Sequence, residues 1–185
     1  GSPTKMGIVL AAELAPIALL GIPSGTLVSR LGARRTMLVG DAGRAPLMAA
    51  IPALYALDLL SFPLLLVCVA LVGVFIAPYF ASQRVILPEI VGEDEKLVAQ
   101  ANAFVEAATR VTALLGPAAA GVLIALVGAT NVLYVDAGTF VFSFLMLRFF
   151  VPRRPALAPT DDSRGLLAGV RYLLADRLLG TLALT

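Results

Sequence analysis

The chain has 185 residues, of which 59% are hydrophobic and only 14% charged, with a formal net charge of +2. Soluble domains carry about 25% charged residues, so this composition excludes a water-soluble globular fold, and the small basic excess argues against nucleic-acid binding. One cysteine, Cys68, and no histidine exclude a disulfide framework, histidine or cysteine metal centres and Ser-His-Asp catalysis.

The mean hydropathy of +0.95 is spread over several stretches rather than gathered in one core. Crossing ~30 Å of hydrocarbon takes about 20 apolar residues of helix, so the length predicts roughly five or six spans joined by short loops. The fold class predicted is an all-α, multi-pass membrane protein. Residues 1–5, Gly-Ser-Pro-Thr-Lys, carry neither the charged n-region nor the cleavage site of a signal peptide. The chain has no initiator methionine and stops inside an apolar stretch, 178–185, so both ends are expected to be cut.

The first predicted span covers 6–28, interrupted by Glu13, Pro16 and Pro23. A short basic loop with Arg30, Gly32, Arg34 and Arg35 follows. The second span covers 36–57, with Asp41 and Arg44 near its start. After a turn at 58–63, residues 64–82 form a span free of charge. Residues 83–100 read as a longer polar loop, broken by Pro88 and Gly92. The fourth span covers 103–127, with Asn102 placed to cap it, and 128–131 reads as a tight turn. The fifth covers 132–150. Beyond it, 151–175 reads as a linker whose second half, 165–175, has amphipathic spacing. Residues 176–185 begin a further span.

Basic residues cluster on alternate connections: Arg30, Arg34 and Arg35; Arg84 and Lys96; Arg148, Arg153 and Arg154. The loops near Asp58 and Gly128 have none. The positive-inside rule assigns the first set to the cytoplasm, in the plasma (inner) membrane. The first visible span then enters from outside, which predicts one span upstream.

Two strings carry a family resemblance. Gly25-Thr-Leu-Val-Ser-Arg-Leu-Gly-Ala-Arg-Arg35 resembles motif A of the major facilitator superfamily, G-x-L-a-D-r-x-G-r-k. Gly25, Leu27, Arg30, Gly32 and Arg34 match it. Ser29 stands where the motif has Asp, and Ala33 where it has a basic residue. Gly116-Pro-Ala-Ala-Ala-Gly121 resembles motif C of the drug:proton antiporters, with Gly116, Pro117 and Gly121 matching. Small residues recur there every four positions, spacing that lets helices approach closely in lipid. The resemblance implies that 1–150 supply the second to sixth helices of a truncated N-terminal half, with 151–175 the central linker and 176–185 the start of the seventh helix. It also implies partners: the first helix and C-terminal half of its own chain, the bilayer, protons and a small-molecule substrate.

Ionisable residues inside a membrane are costly and are functional candidates by default. Counted from the span ends, they fall into two layers. Asp41 and Arg44, with Glu106 and Arg110, make two acids and two bases near the cytoplasmic side, expected to form a neutral network at the inner gate. Glu13 and Asp136 lie nearer the outer ends, with no basic residue at their depth in the visible spans. Hydrocarbon disfavours a charged carboxylate, which suits proton uptake and release, so these two are the proton-coupling candidates.

The resemblance implies secondary export of a small, amphipathic, drug-like or siderophore-like molecule by proton antiport and alternating access, without a metal or other cofactor. One alternative is a non-transporting scaffold or sensor of the same fold. Another is a lipid-modifying enzyme, because Asp41-Ala-Gly-Arg44 resembles the D-G-x-x-A-R element of headgroup transferases. That chemistry needs further spaced aspartates to hold a divalent metal. The next span has none, so an enzyme is not expected.

Overall fold

A computed structural model describes residues 2–92 and 94–152. Among these, five α-helices follow one another: α1 (Pro3–Leu31), α2 (Ala33–Ala56), α3 (Phe62–Val91), α4 (Glu95–Val127) and α5 (Ala129–Phe150). The described residues contain no strand. The expected amphipathic segment at 165–175 and the further span at 176–185 lie outside the described residues.

Four of the helices hold a stretch long and apolar enough to cross a membrane. The exception is α2, which spends its first half on Arg34, Arg35, Asp41 and Arg44. Its 24 residues still reach about 36 Å at 1.5 Å per residue. Large apolar side chains such as Leu19, Leu114 and Phe150 lie exposed along the bundle. For helices of this composition, that surface is suited to lipid rather than water.

The connections are shorter than hydropathy predicts. The motif A-like stretch is helical on both sides of a single residue, Gly32, at φ 82°. Gly128 joins α4 to α5 in the same way at φ 84°, so the expected four-residue turn at 128–131 shrinks to one. Positive φ is where glycine avoids the cost that a Cβ brings.

The expected polar loop at 83–100 is also mostly helix. α3 runs on through Pro88 to Val91, and α4 begins at Glu95. The two helices therefore extend beyond the apolar stretch that a hydropathy window detects. The cap of α4 is Asp94, whose carboxylate accepts from Lys96 N (2.9 Å) and Leu97 N (3.3 Å). Asn102 lies inside the helix and caps nothing at its start.

α1 and α3 run parallel and pack along their whole length. Lys5 stacks over the Phe62 ring at 5.4 Å at one end, and Val28 joins Ile86 in the core at the other. Between them, Gly73 meets the α1 backbone so closely that a Cβ there would lie 2.5 Å from the Glu13 carbonyl oxygen. α2 packs on both α3 and α5. The core cluster of Val28, Ala33, Met37 and Ile86 sits at the arginine-bearing end, with Leu147 and Val151 of α5 against it.

Arg34 fastens that end. Its Nε donates to the carbonyls of Leu147 (3.2 Å) and Val151 (2.7 Å), and its Nη2 to that of Arg148 (2.8 Å). The last carbonyls of a helix lack intrahelical partners. A guanidinium there both satisfies them and faces the negative end of the helix dipole.

α4 makes only slight contact with α3 and α5 and buries none of its residues in the described structure.

Candidate functional site

The site grows from Asp41 and Arg44, three residues apart and so on one face of α2. Both are buried, Asp41 to 1% exposure and Arg44 to 8%. They sit about 12 and 16 Å along α2 from Ala33, in the middle of the helix rather than at its arginine-bearing end. Arg44 Nη2 lies 3.3 Å from Asp41 Oδ1, and its Nε donates to the Gly40 carbonyl at 3.3 Å.

Two glycines of α2 bring α3 in against this face. A Cβ on Gly40 would press on the Tyr79 ring at 3.3 Å, and one on Gly43 would lie 2.5 Å from the Phe75 ring. Their absence lets Tyr79 lie under the Arg44 guanidinium, 4.1 Å from carbon to ring centroid. Phe140 of α5 lies on it too, at 4.8 Å. Aromatic faces stabilise a desolvated guanidinium through the ring quadrupole.

α5 supplies the rest. Ser143 Oγ donates to Asp41 Oδ2 at 2.6 Å. The Tyr79 hydroxyl lies 3.3 Å from Ser143 Oγ. A serine hydroxyl has one proton. With that proton on Asp41, Tyr79 is the donor, and a chain runs from Tyr79 through Ser143 to Asp41. Asp136, two turns before Ser143 on α5, interacts electrostatically with Arg44. It is only half buried.

This corrects the two-layer sorting. α2 and α5 are antiparallel: Arg34 faces 147–151, Asp41 faces Ser143, and Arg44 faces Phe140. The Arg44 guanidinium turns back to Gly40 and Asp41, and Asp136 feels its charge from further along α5 without an ion pair. Helix-end counting places Cα atoms and leaves out how far the charge of a buried guanidinium acts.

The expected four-membered network is likewise two separate pairs. Glu106 and Arg110 pair with each other on α4 (Arg110 Nε to Glu106 Oε1, 3.0 Å), with side chains 63% and 79% exposed. No described hydrogen bond or ion pair links them to Asp41 or Arg44. Glu13 is half buried on α1, and its carboxylate makes no ion pair or hydrogen bond among the described residues.

The motif residues divide in the same manner. Arg34 and Gly32 have the structural work described above. Leu27 is exposed, Arg30 lies at a cavity rim, and Gly25 has open space where a Cβ would stand. On α4, Gly116 and Gly121 also face open space, so among the described residues the motif C-like stripe meets no neighbouring helix. Tyr79, Phe140 and Ser143 escaped the sequence reading. Ser143 had one signal: it is polar, inside a span, and two turns from Asp136.

A family model described as Major Facilitator Superfamily matches residues 1–185. The multidrug efflux pump Tap of Mycolicibacterium fortuitum is 28% identical over 193 residues, covering 100% of this chain and 47% of Tap. The multidrug efflux pump Tap of Mycobacterium tuberculosis (strain ATCC 25618 / H37Rv) is 28% identical, with 46% of its length covered. An uncharacterized MFS-type transporter of Bacillus subtilis (strain 168), YfiS, is 28% identical, with 44% covered. The chain therefore spans slightly under half the length of the curated relatives it matches.

Proposed function

We propose a transport function for this chain, which belongs to the Major Facilitator Superfamily: the protein that contains it exports a small, amphipathic, drug-like molecule across the plasma membrane in exchange for protons. Membership of a transporter family favours this over an enzyme. The relatives named as multidrug efflux pumps support drug export as the direction and class of transport.

The observation that carries the proton part is the composition of the α2–α5 cluster. It holds two carboxylates, Asp41 and Asp136, and one guanidinium, Arg44. With both acids ionised it is one negative charge in excess. A lone excess charge is costly inside a membrane, and one proton removes it.

Asp136 is the acid that takes that proton. Asp41 is held by Arg44 and Ser143 together. Asp136 has the more open position and shares Arg44 only at longer range. In this reading an external proton binds the Asp136 carboxylate, the two halves of the transporter rock around a midplane site, and the proton leaves to the cytoplasm while substrate moves outward. Glu13 remains the second candidate for the same role.

The test is substrate flux by the full-length protein in proteoliposomes under an imposed pH gradient. Flux that collapses when the gradient is dissipated, and loses its gradient dependence in Asp136→Asn or Glu13→Gln, supports the reading. Flux equally gradient-dependent in both variants removes these residues from proton coupling. No flux of any substrate by a folded protein favours the scaffold reading.

A further inference from the structure

Between α1, α2 and α3, toward the arginine-bearing end, lies a cavity of about 420 Å³. α1 packs mainly on α3, and α2 on α3 and α5, with little contact between α1 and α2 although one residue joins them. The two helices splay, and α3 closes the back of the gap. Leu20, Leu27, Val39 and Phe75 are among its walls. Leu27 and Val39 are exposed, so the mouth is itself apolar.

Three hydroxyl residues line the cavity: Ser24 and Thr36 turn their protons to their own helices, and the Thr26 hydroxyl makes no hydrogen bond among the described residues. Ser24 Oγ donates to the Leu20 carbonyl, and Thr36 Oγ1 donates to the Gly32 carbonyl at 3.0 Å. Apart from these the walls are largely hydrocarbon, supplied by Leu20, Leu27, Leu31, Val39, Val74 and Phe75. At the rim stands Arg30, exposed, with no ion pair or hydrogen bond among the described residues. Ser29, beside it, has no charge to offer, and its hydroxyl is turned to the Thr26 carbonyl at 2.9 Å.

We propose that this cavity is a binding site for an anionic phospholipid of the cytoplasmic leaflet, with an acyl chain between α1 and α2 and the phosphate on Arg30. Largely hydrocarbon walls suit an acyl chain better than a strongly polar solute. The unpaired guanidinium at the rim suits a phosphate, which it engages with a planar fork of donors. The charge bias puts this end at the cytoplasmic face, where anionic lipids attract basic residues. The proposal does not depend on what the protein transports.

The test uses the full-length protein in nanodiscs containing a trace of phosphatidylglycerol or phosphatidylcholine, each with a photoactivatable diazirine in its acyl chain. Adducts are mapped by mass spectrometry. The expected result is phosphatidylglycerol adducts on Leu27, Val39 or Phe75, exceeding phosphatidylcholine adducts about five-fold, the effect of one basic residue near an anionic surface.

Arg30→Gln should bring the ratio close to one, Arg30→Lys should keep most of it, and Arg35→Gln, on the same turn but outside the cavity, should leave it unchanged. Equal labelling by both lipids in the unmodified protein overturns the proposal without recourse to any variant. So does absence of adducts in the cavity, which would mean that another part of the protein fills it. An equal loss in Arg35→Gln reduces the effect to general surface charge and also overturns it.

Discussion

Ser143 of α5 donates a 2.6 Å hydrogen bond to Asp41 of α2, a contact that spans 102 positions of sequence. It ties a buried acid to a helix on the far side of α4 in the chain, and it fixes the level at which α2 and α5 meet.

From this follows a test of the buried pair. Asp41→Asn or Arg44→Gln alone leaves an uncompensated buried charge and is expected to cost about 3–5 kcal/mol. The double variant Asp41→Leu/Arg44→Met removes both charges and should cost less than either single change. Ser143→Ala should cost about 1 kcal/mol, as interhelical hydrogen bonds in membranes do. SDS-induced unfolding of the full-length protein in mild detergent measures all four. A double variant weaker than both singles would show that the pair is not the reason for their loss.

Arg34 allows a second prediction. It serves three carbonyls at the end of α5, and charged hydrogen bonds contribute about 1.5–3 kcal/mol. Arg34→Ala should loosen that end, seen as faster hydrogen exchange at 147–151. Arg34→Lys should restore part of the protection, because a point charge cannot copy the fork of a guanidinium. Protection unchanged in Arg34→Ala would contradict the capping role.

Two glycines on the α3 side differ in what they face. Gly73 lies against α1 backbone, which cannot yield, whereas Gly43 lies against the end of the Phe75 ring. Gly73→Ala is therefore expected to cost about 1–3 kcal/mol, in the range of core overpacking. Gly43→Ala should cost less, because Phe75 borders the α1–α2 cavity and has room to move. The same unfolding assay decides, and a larger cost at Gly43 reverses the argument.

The separation of the two ion pairs is testable by a double-mutant cycle. Arg44→Gln and Glu106→Gln should add within about 0.5 kcal/mol, as distant sites do. A coupling well above that would restore the single inner-gate network expected from helix-end counting.

Much of the fold was legible because hydrocarbon imposes a coarse rule: apolar, about 20 residues, few charges. The helix ends were not, because hydropathy stops where lipid stops while the backbone goes on. Thus α3 continues past Pro88 and α4 starts at Glu95, where the sequence read as a loop. Asp41, Arg44 and Asp136 stood out as charges in spans. Their electrostatic coupling did not, because it depends on the antiparallel register of α2 and α5. Tyr79 and Phe140 are ordinary residues for an apolar helix, and only the Arg44 guanidinium between them gives them a role.

The central claim is that Asp136 carries the exchanged proton. It is tested most directly with the full-length protein in pyranine-loaded proteoliposomes, by recording the internal pH while an amphipathic fluorescent dye is transported. The account predicts proton movement opposite to dye movement in the unmodified protein, and dye movement without a pH change in Asp136→Asn. Proton exchange of ordinary size in Asp136→Asn would contradict it.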